Sequence, residues 1–397
     1  MEKINKNHIV LLLNSSFPYY SGGRETWLYN ITKHLVKSGY QIHILTLFNT
    51  DKNPLHFKDI PSNIEIINCK TLKQIPIIKH FIRSYFNIVD SLYGACQMLR
   101  QLHKNFLNIY SNCIFISMDT VFTPIPLYYL KRKRKDITFI CSSRGPHADI
   151  LSIRFPLVAR LFHMLEKHSY KTADMIWANG RDTQVDIKNH GFDSLLIENG
   201  VDIELIDNKY KFPDEQVFKN KNFKITSVAS LLDVKGIKEL LEAGAILLKN
   251  KISDFDLIFV GKGNPARYIE YAKKLGILQK SHFLGERQNV ISYLKNSHLI
   301  ACLSGGGGMS MSALEALGSK TPVIAWNSPI YNQIIRHGEN GYLVTEKDAR
   351  ALADGIIIIK NNYTKFEKMG KNARKSIKNF DWKKIVEKII FQLKNFT

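Results

Sequence analysis

The chain has 397 residues, of which 45% are hydrophobic and 23% charged, with a formal net charge of +21. This composition excludes a disordered chain, and the length exceeds one ordinary core, so two domains of similar size are expected. Basic residues occur in clusters as well as throughout, which points to an anionic partner. No zinc-finger spacing, RNP signature or helix-turn-helix pattern accompanies the charge, so no nucleic-acid partner is expected.

Cys69, Cys96, Cys113, Cys141 and Cys302 show neither CxxC pairing nor metal-ligand spacing. An odd, scattered set predicts free thiols in a reducing compartment. The apolar run over residues 9–13 is a strand's length, too short for a signal-peptide core. No window reaches the apolar length needed to cross a bilayer. The expectation is a cytoplasmic protein, at most peripheral on the inner face of a membrane.

In chain order, an apolar run at 8–13 leads into a loop with Pro18, Gly22 and Gly23. A helical pattern then places Trp27, Leu28, Ile31, Leu35 and Val36 on one face. Gly39 stops that helix, and residues 41–47 read as a second strand. Further strands are predicted at 64–67, 114–116, 137–141 and 175–178, with long helical patterns at 75–107 and 155–172. Periodicity breaks over 198–215, where NGVD, a charged stretch and Pro213 intervene, and then restarts. Strands at 224–229, 255–260, 281–284, 299–303 and 322–325 alternate with helices at 237–248, 266–275, 290–295, 310–317 and from 349 onward. Such alternation predicts an α/β protein with two doubly wound parallel sheets. The expected division is a first domain over 1–198, a linker over 199–215, a second domain over 216–378 and a closing helix over 379–397.

The most informative segment is residues 299–326, LIACLSGGGGMSMSALEALGSKTPVIAW. An apolar strand runs into Gly305, Gly306, Gly307 and Gly308, and a helix opens behind them. Glycines let the backbone approach a ligand, and a helix N-terminus adds roughly half a positive charge. The combination suits a diphosphate, and Glu315 on the same helix could accept hydrogen bonds from ribose hydroxyls. The pattern alone fits equally a flexible turn with Glu315 on a solvated face. The absence of GxxxxGK[ST] argues against a P-loop nucleotidase.

The ordered series of motifs resembles the family 4 retaining glycosyltransferases, which have the GT-B fold. Pro18, Gly22, Gly23, Glu25 and Gly39 are similar to that family's opening Gly-Gly loop and first β-α-β unit. Asn199, Gly200, Val201 and Asp202 match its NGVD, and Lys235 and Gly236 its KG. Gly261 and Gly263 match its GxG, and Phe283 and Gly285 its FxG. Leu314, Glu315 and Ala316 with Pro322 and Val323 match its LEA…PV, and Asn340 and Gly341 its closing NG. The last segment, FDWKKIVEKIIFQLKNF, resembles the family's final helix, which crosses back onto the first domain.

The resemblance implies two Rossmann-like domains facing a cleft, and retaining transfer of a hexose-type sugar from a nucleotide diphosphate sugar, UDP-sugar being the commonest donor. It implies a glycan or lipid-linked acceptor in cell-surface polysaccharide biosynthesis. Lys235 would contact the donor diphosphate and Glu315 the ribose. Gly307, Gly308, Met309 and Ser310 would lie against the sugar and diphosphate, with Gly263 and Ser230 beside them. Gly22 and Gly23 would approach the donor from the first domain, and His147 in RGPHAD corresponds to that domain's histidine near the sugar. Catalysis would rest on His147, Lys235 and Glu315.

Two positions depart from the family pattern. Ser230 stands where an Arg usually precedes KG by five residues, and Gly307 where a first Glu usually stands. They motivate an alternative, a catalytically silent homologue partnering an active subunit. No metal-using Asp-x-Asp follows a strand, so no cofactor or metal is expected. Three basic clusters interleaved with apolar residues, at 75–86, 131–135 and 152–171, suit an anionic membrane surface.

Overall fold

The computed structural model describes residues 7–15, 17, 23–47, 60–69, 86–106, 113–145, 147–208, 211–305 and 309–394. The chain forms two compact units, Met1–Glu198 with Lys383–Thr397, and Asn199–Trp382.

The first unit's strands are β1 (His8–Leu13), β2 (Gln41–Leu47), β3 (Ile64–Cys69), β4 (Cys113–Ser117), β5 (Thr138–Ser143), β6 (Met175–Ala178) and β7 (Leu195–Leu196). They form one sheet in the order β3-β2-β1-β4-β5-β6-β7. Every pairing in it is parallel. The helices between them are α1 (Gly23–Lys37), α2 (Phe86–Phe106), α3 (Ile125–Lys133), α4 (His147–Arg154), α5 (Ala159–Thr172) and α6 (Arg181–Asn189). β1 is central, with Leu11 paired to Ile44 on one side and Ile116 on the other. Residues 9–13 are all fully buried, as a parallel strand covered on both faces requires. Trp27, Leu28, Ile31 and Leu35 give α1 its buried face, and Gly39 ends it at φ +89°.

The second unit's strands are β8 (Phe223–Val228), β9 (Phe255–Val260), β10 (Ser281–Gly285), β11 (Leu299–Cys302), β12 (Val323–Trp326) and β13 (Tyr342–Val344). Their order is β10-β9-β8-β11-β12-β13, again with every pairing parallel. Around them pack α7 (Ile203–Asp207), α8 (Ile237–Lys249), α9 (Ala266–Lys274), α10 (Val290–Lys295), α11 (Met311–Gly318), α12 (Pro329–Asn332), α13 (Ala349–Asn361) and α14 (Tyr363–Ser376), and the closing helix is α15 (Trp382–Leu393). In both sheets the order reverses beside the first strand, between β1 and β4 and between β8 and β11. Ligands of doubly wound folds bind outside the carboxyl ends of the strands at such a reversal.

NGVD acquires a physical reading residue by residue. The Asn199 side-chain amide donates to the Met309 carbonyl at 2.6 Å. A Cβ on Gly200 would lie 2.5 Å from the Trp382 ring, so only glycine lets that ring close down. Val201 donates its N–H to Phe380 at 2.7 Å, and Asp202 caps α7 by accepting from the Leu205 N–H at 2.7 Å.

Several short elements escaped the periodicity. Helices α3, α4 and α6 and strands β7 and β13 were not expected, being too short or too polar for a repeating pattern to show. The helical pattern at 155–172 is divided: Pro156 opens a single 3-10 turn, Pro156–Val158, and α5 begins only at Ala159. Of the helix expected over 75–107, residues 86–106 are helical, and 75–85 lie outside the described residues. The five thiols are free, with Cys69, Cys113, Cys141 and Cys302 buried and Cys96 exposed. Among the described residues no helix is long and apolar enough to cross a membrane.

Candidate functional site

In the second unit the carboxyl ends of β8 and β11 carry the residues singled out by the sequence. After β8 the chain makes a one-turn 3-10 helix, Asp233–Lys235, and Gly236 begins α8 at φ +69°. A Cβ on Gly236 would fall 2.4 Å from Leu303 Cβ, so the glycine lets this turn press against the end of β11. Lys235 Nζ donates to Ser304 Oγ at 2.9 Å. Burial lowers the Lys235 pKa, and among the described residues no carboxylate pairs with it.

The loop after β11 is held by groups the sequence did not single out. The Ser304 N–H donates to the Tyr331 hydroxyl at 2.8 Å, and Trp326 Nε1 donates to the Leu303 carbonyl at 2.9 Å. Gly305 spends its N–H on the Val234 carbonyl at 2.7 Å. That N–H is therefore not available to a ligand. Gly306, Gly307 and Gly308 lie outside the described residues, as does Gly22.

Met309 is buried, its carbonyl held by Asn199. Ser310 is the N-cap of α11, its hydroxyl accepting from the Ala313 N–H at 3.3 Å. Glu315 lies in the second turn of α11. Burial pushes its carboxyl up to about 7. Neither a hydrogen-bond donor nor a cation pairs with its carboxylate among the described residues. Its charge is felt instead by the Cys302 thiol at the end of β11, which burial and then Glu315 push up to about 12. Glu315 is therefore not on a solvated face, and that reading of the sequence is corrected.

Gly261 and Gly263 have packing reasons. A Cβ on Gly261 would sit 1.9 Å from the Ala229 carbonyl oxygen, and one on Gly263 2.8 Å from Leu231 Cβ. The two glycines bring the loop after β9 against the loop that carries Ser230, itself half-buried. Among the described residues no group of three or more His, Cys, Asp or Glu could hold a metal ion.

Gly23 and His147 belong to the first unit. Gly23 opens α1, and space for a Cβ there is free. His147 is the first residue of α4. Its Nδ1 lies 3.8 Å from Asp119 Oδ1 and has no hydrogen-bond partner. Burial lowers its pKa; Asp119 opposes that shift and Arg24 adds to it. Arg144, which sequence reasoning passed over, stacks on Trp27 with the guanidinium carbon 3.7 Å from the ring centre. The signal was its place in RGPHAD at the end of β5.

Comparison with known proteins bears on this arrangement. Residues 21–205 match the family described as Glycosyltransferase Family 4, and residues 208–376 match Glycosyl transferases group 1. The chain belongs to the family 4 glycosyltransferases. The putative glycosyltransferase EpsD of Bacillus subtilis is 31% identical over 43% of this chain and 45% of its own length. The uncharacterized glycosyltransferase MJ1069 of Methanocaldococcus jannaschii is 26% identical over 92% of this chain and 93% of its own. The chain spans about half the length of the first curated relatives it matches. Among solved structures, Anabaena HepE in complex with UDP has a TM-score of 0.74 at 18% identity, covering 98% of this chain and 99% of its own. That likeness gives this family 4 chain the GT-B fold, two parallel sheets each flanked by helices.

Proposed function

We propose that the chain transfers a hexose-type sugar, with retention, from a UDP-sugar to a glycan or lipid-linked acceptor in cell-surface polysaccharide biosynthesis. The observation that carries this reading is Glu315, a half-buried carboxylate with no donor among the described residues, on the helix behind the glycine loop. Two vicinal ribose hydroxyls would supply the missing donors. Lys235, a half-buried cation with no carboxylate partner among the described residues, would receive the diphosphate. Uridine is favoured because HepE, which shares the fold, was solved with UDP.

In the transfer, the bond between the anomeric carbon and the diphosphate oxygen breaks while the acceptor hydroxyl oxygen bonds to that carbon. The departing phosphate takes the hydroxyl proton. Lys235 and the N-terminus of α11 stabilise the charge growing on that phosphate. With these groups in the charge role, activity requires no divalent metal. Chain treated with a chelator should release UDP from a panel of UDP-glucose, UDP-galactose and UDP-N-acetylglucosamine at most of the untreated rate. Loss of the rate, restored by magnesium or manganese, would contradict this. No release from any donor would favour the silent homologue that Ser230 and Gly307 suggest.

The first unit also presents a surface suited to an anionic membrane. Ala148, Phe155 and Phe162 join the buried side of α4 and α5. Outside it, Ile153 and Leu157 are each 85% exposed, with Ile150, Leu161 and Met164 exposed near them. Arg154, Arg160, Lys167 and Lys171 are exposed on the same segment. The basic run at 131–135 contributes less: Lys131 pairs with Asp174, Arg134 with Asp136 at 2.8 Å, and Lys133 lies over Tyr129. Each basic residue near an anionic surface contributes about 1 kcal/mol, much of it screened by salt. The protein should float with phosphatidylglycerol vesicles at low salt and less at high salt, and Ile153→Gln with Leu157→Gln should abolish most of the binding. Equal flotation with neutral vesicles, or none with either, would contradict this.

A further inference from the structure

The first unit contains two arginines and a histidine that no carboxylate hydrogen-bonds among the described residues. Arg24 is the second residue of α1, Arg144 follows β5, and His147 opens α4. The guanidinium carbon of Arg144 lies over the Trp27 ring, and its Nη2 is buried without a hydrogen-bond partner among the described residues. His147 Nδ1 is likewise buried and unpartnered. Among the described residues neither Arg24 nor Arg144 has a carboxylate partner.

The acidic group beside His147, Asp119, is already committed. Its Oδ1 accepts the N–H groups of Val121, Phe122 and Thr123 at 2.9, 2.7 and 3.2 Å, so it anchors the turn after β4. Glu25, also buried, accepts from the Ser15 hydroxyl. An arginine stays protonated in a protein, so burying one beside a second arginine without a counter-ion is costly. Burial first, and then the like charge of Arg24, pull the Arg144 guanidinium well below its usual range. An entering anion would offset that cost.

We propose that Arg24, Arg144 and His147 form a phosphate-binding site on the first unit, which holds a phosphate group carried by the acceptor. The assignment to an acceptor rests on the transferase reading above. Phosphate fits better than a carboxylate. Two guanidiniums and an imidazole offer more donors than one carboxylate can use, and two helix starts, at Gly23 and His147, add further positive potential. A bound dianion would also favour protonation of His147, completing the donor set. Among the described residues nothing lies within 4 Å of where a Cβ on Gly23 would stand at the start of α1.

The test is a titration of the full chain with glucose 1-phosphate, followed by tryptophan fluorescence because Trp27 lies against Arg144. UDP affinity is measured in parallel by calorimetry. The parent chain should show a saturable response that inorganic phosphate competes away. Arg144→Gln and Arg24→Gln should each raise the midpoint at least tenfold, and Arg144→Lys should raise it less, with UDP affinity kept within about twofold. If Arg144→Gln fails to fold by circular dichroism, Arg24→Gln carries the comparison. No response in the parent, or an unchanged midpoint in the folded variants, overturns the site. A tenfold loss of UDP affinity in those variants, or a parent that binds glucose 1-phosphate but no UDP, overturns its assignment to an acceptor.

Discussion

Glu315→Ala is expected to weaken UDP binding by at least about tenfold, and Glu315→Gln to keep part of the affinity while making the free protein more stable at pH 8. A carboxylate accepting from two ribose hydroxyls makes charge-assisted bonds of roughly 1.5–3 kcal/mol each, and every 1.4 kcal/mol is a decade of affinity. The stability effect has the opposite sign. Burial raises the Glu315 carboxyl from an ordinary 4.5 to about 7. Between those values the folded chain holds a proton that the unfolded chain has lost, so this residue's contribution falls as pH rises through that window. Glutamine cannot ionise and escapes a cost on the order of 1–3 kcal/mol at pH 8. Chemical denaturation and calorimetry of the same samples check both halves. A variant that neither gains stability nor loses UDP would show Glu315 to be an ordinary carboxylate.

Replacing Lys235 with Met should lower kcat/KM for the UDP-sugar about 10²–10³-fold, the usual loss when a preorganised group facing developing charge is removed. The methionine keeps the apolar stem and forfeits only the charge and the bond to Ser304. Lys235→Arg should recover part of the rate, since the charge returns with different geometry. Gly236, whose Cβ would strike Leu303, fixes where that side chain starts, so Gly236→Ala should damage the same step with the lysine intact. A Lys235→Met rate within threefold of the parent would remove the residue from the mechanism.

Much of this was legible in the sequence because parallel strands covered on both faces are rich in apolar residues along their length. Residues 8–13, 41–47 and 255–260 were read with their observed limits for that reason. What stayed hidden was short or polar. β7 has two residues, and α6 has Thr183 and Ile187 as its buried positions, which no repeating pattern can advertise. The glycines of NGVD, KG and GxG stood out as motifs, yet their reasons emerged only from the atoms that a Cβ would meet. Tyr331 and Trp326 hold the loop after β11 from 27 and 23 residues away, beyond any local signal. Arg144 was passed over although it stands in RGPHAD, because the motif gives no hint that no carboxylate pairs with it among the described residues.

The most direct measurement is a calorimetric titration of UDP-glucose at pH 6 and pH 8. Its diphosphate diester does not titrate in that range, so any change belongs to the protein. With the Glu315 carboxyl near 7, about nine-tenths of the free protein is protonated there at pH 6 and about one-tenth at pH 8. Ribose hydroxyls need the ionised acceptor, so affinity should rise about tenfold from pH 6 to pH 8 and should not do so in Glu315→Ala. The same affinity at both pH values in the parent chain, or the same rise in Glu315→Ala, would contradict a donor site built on this residue.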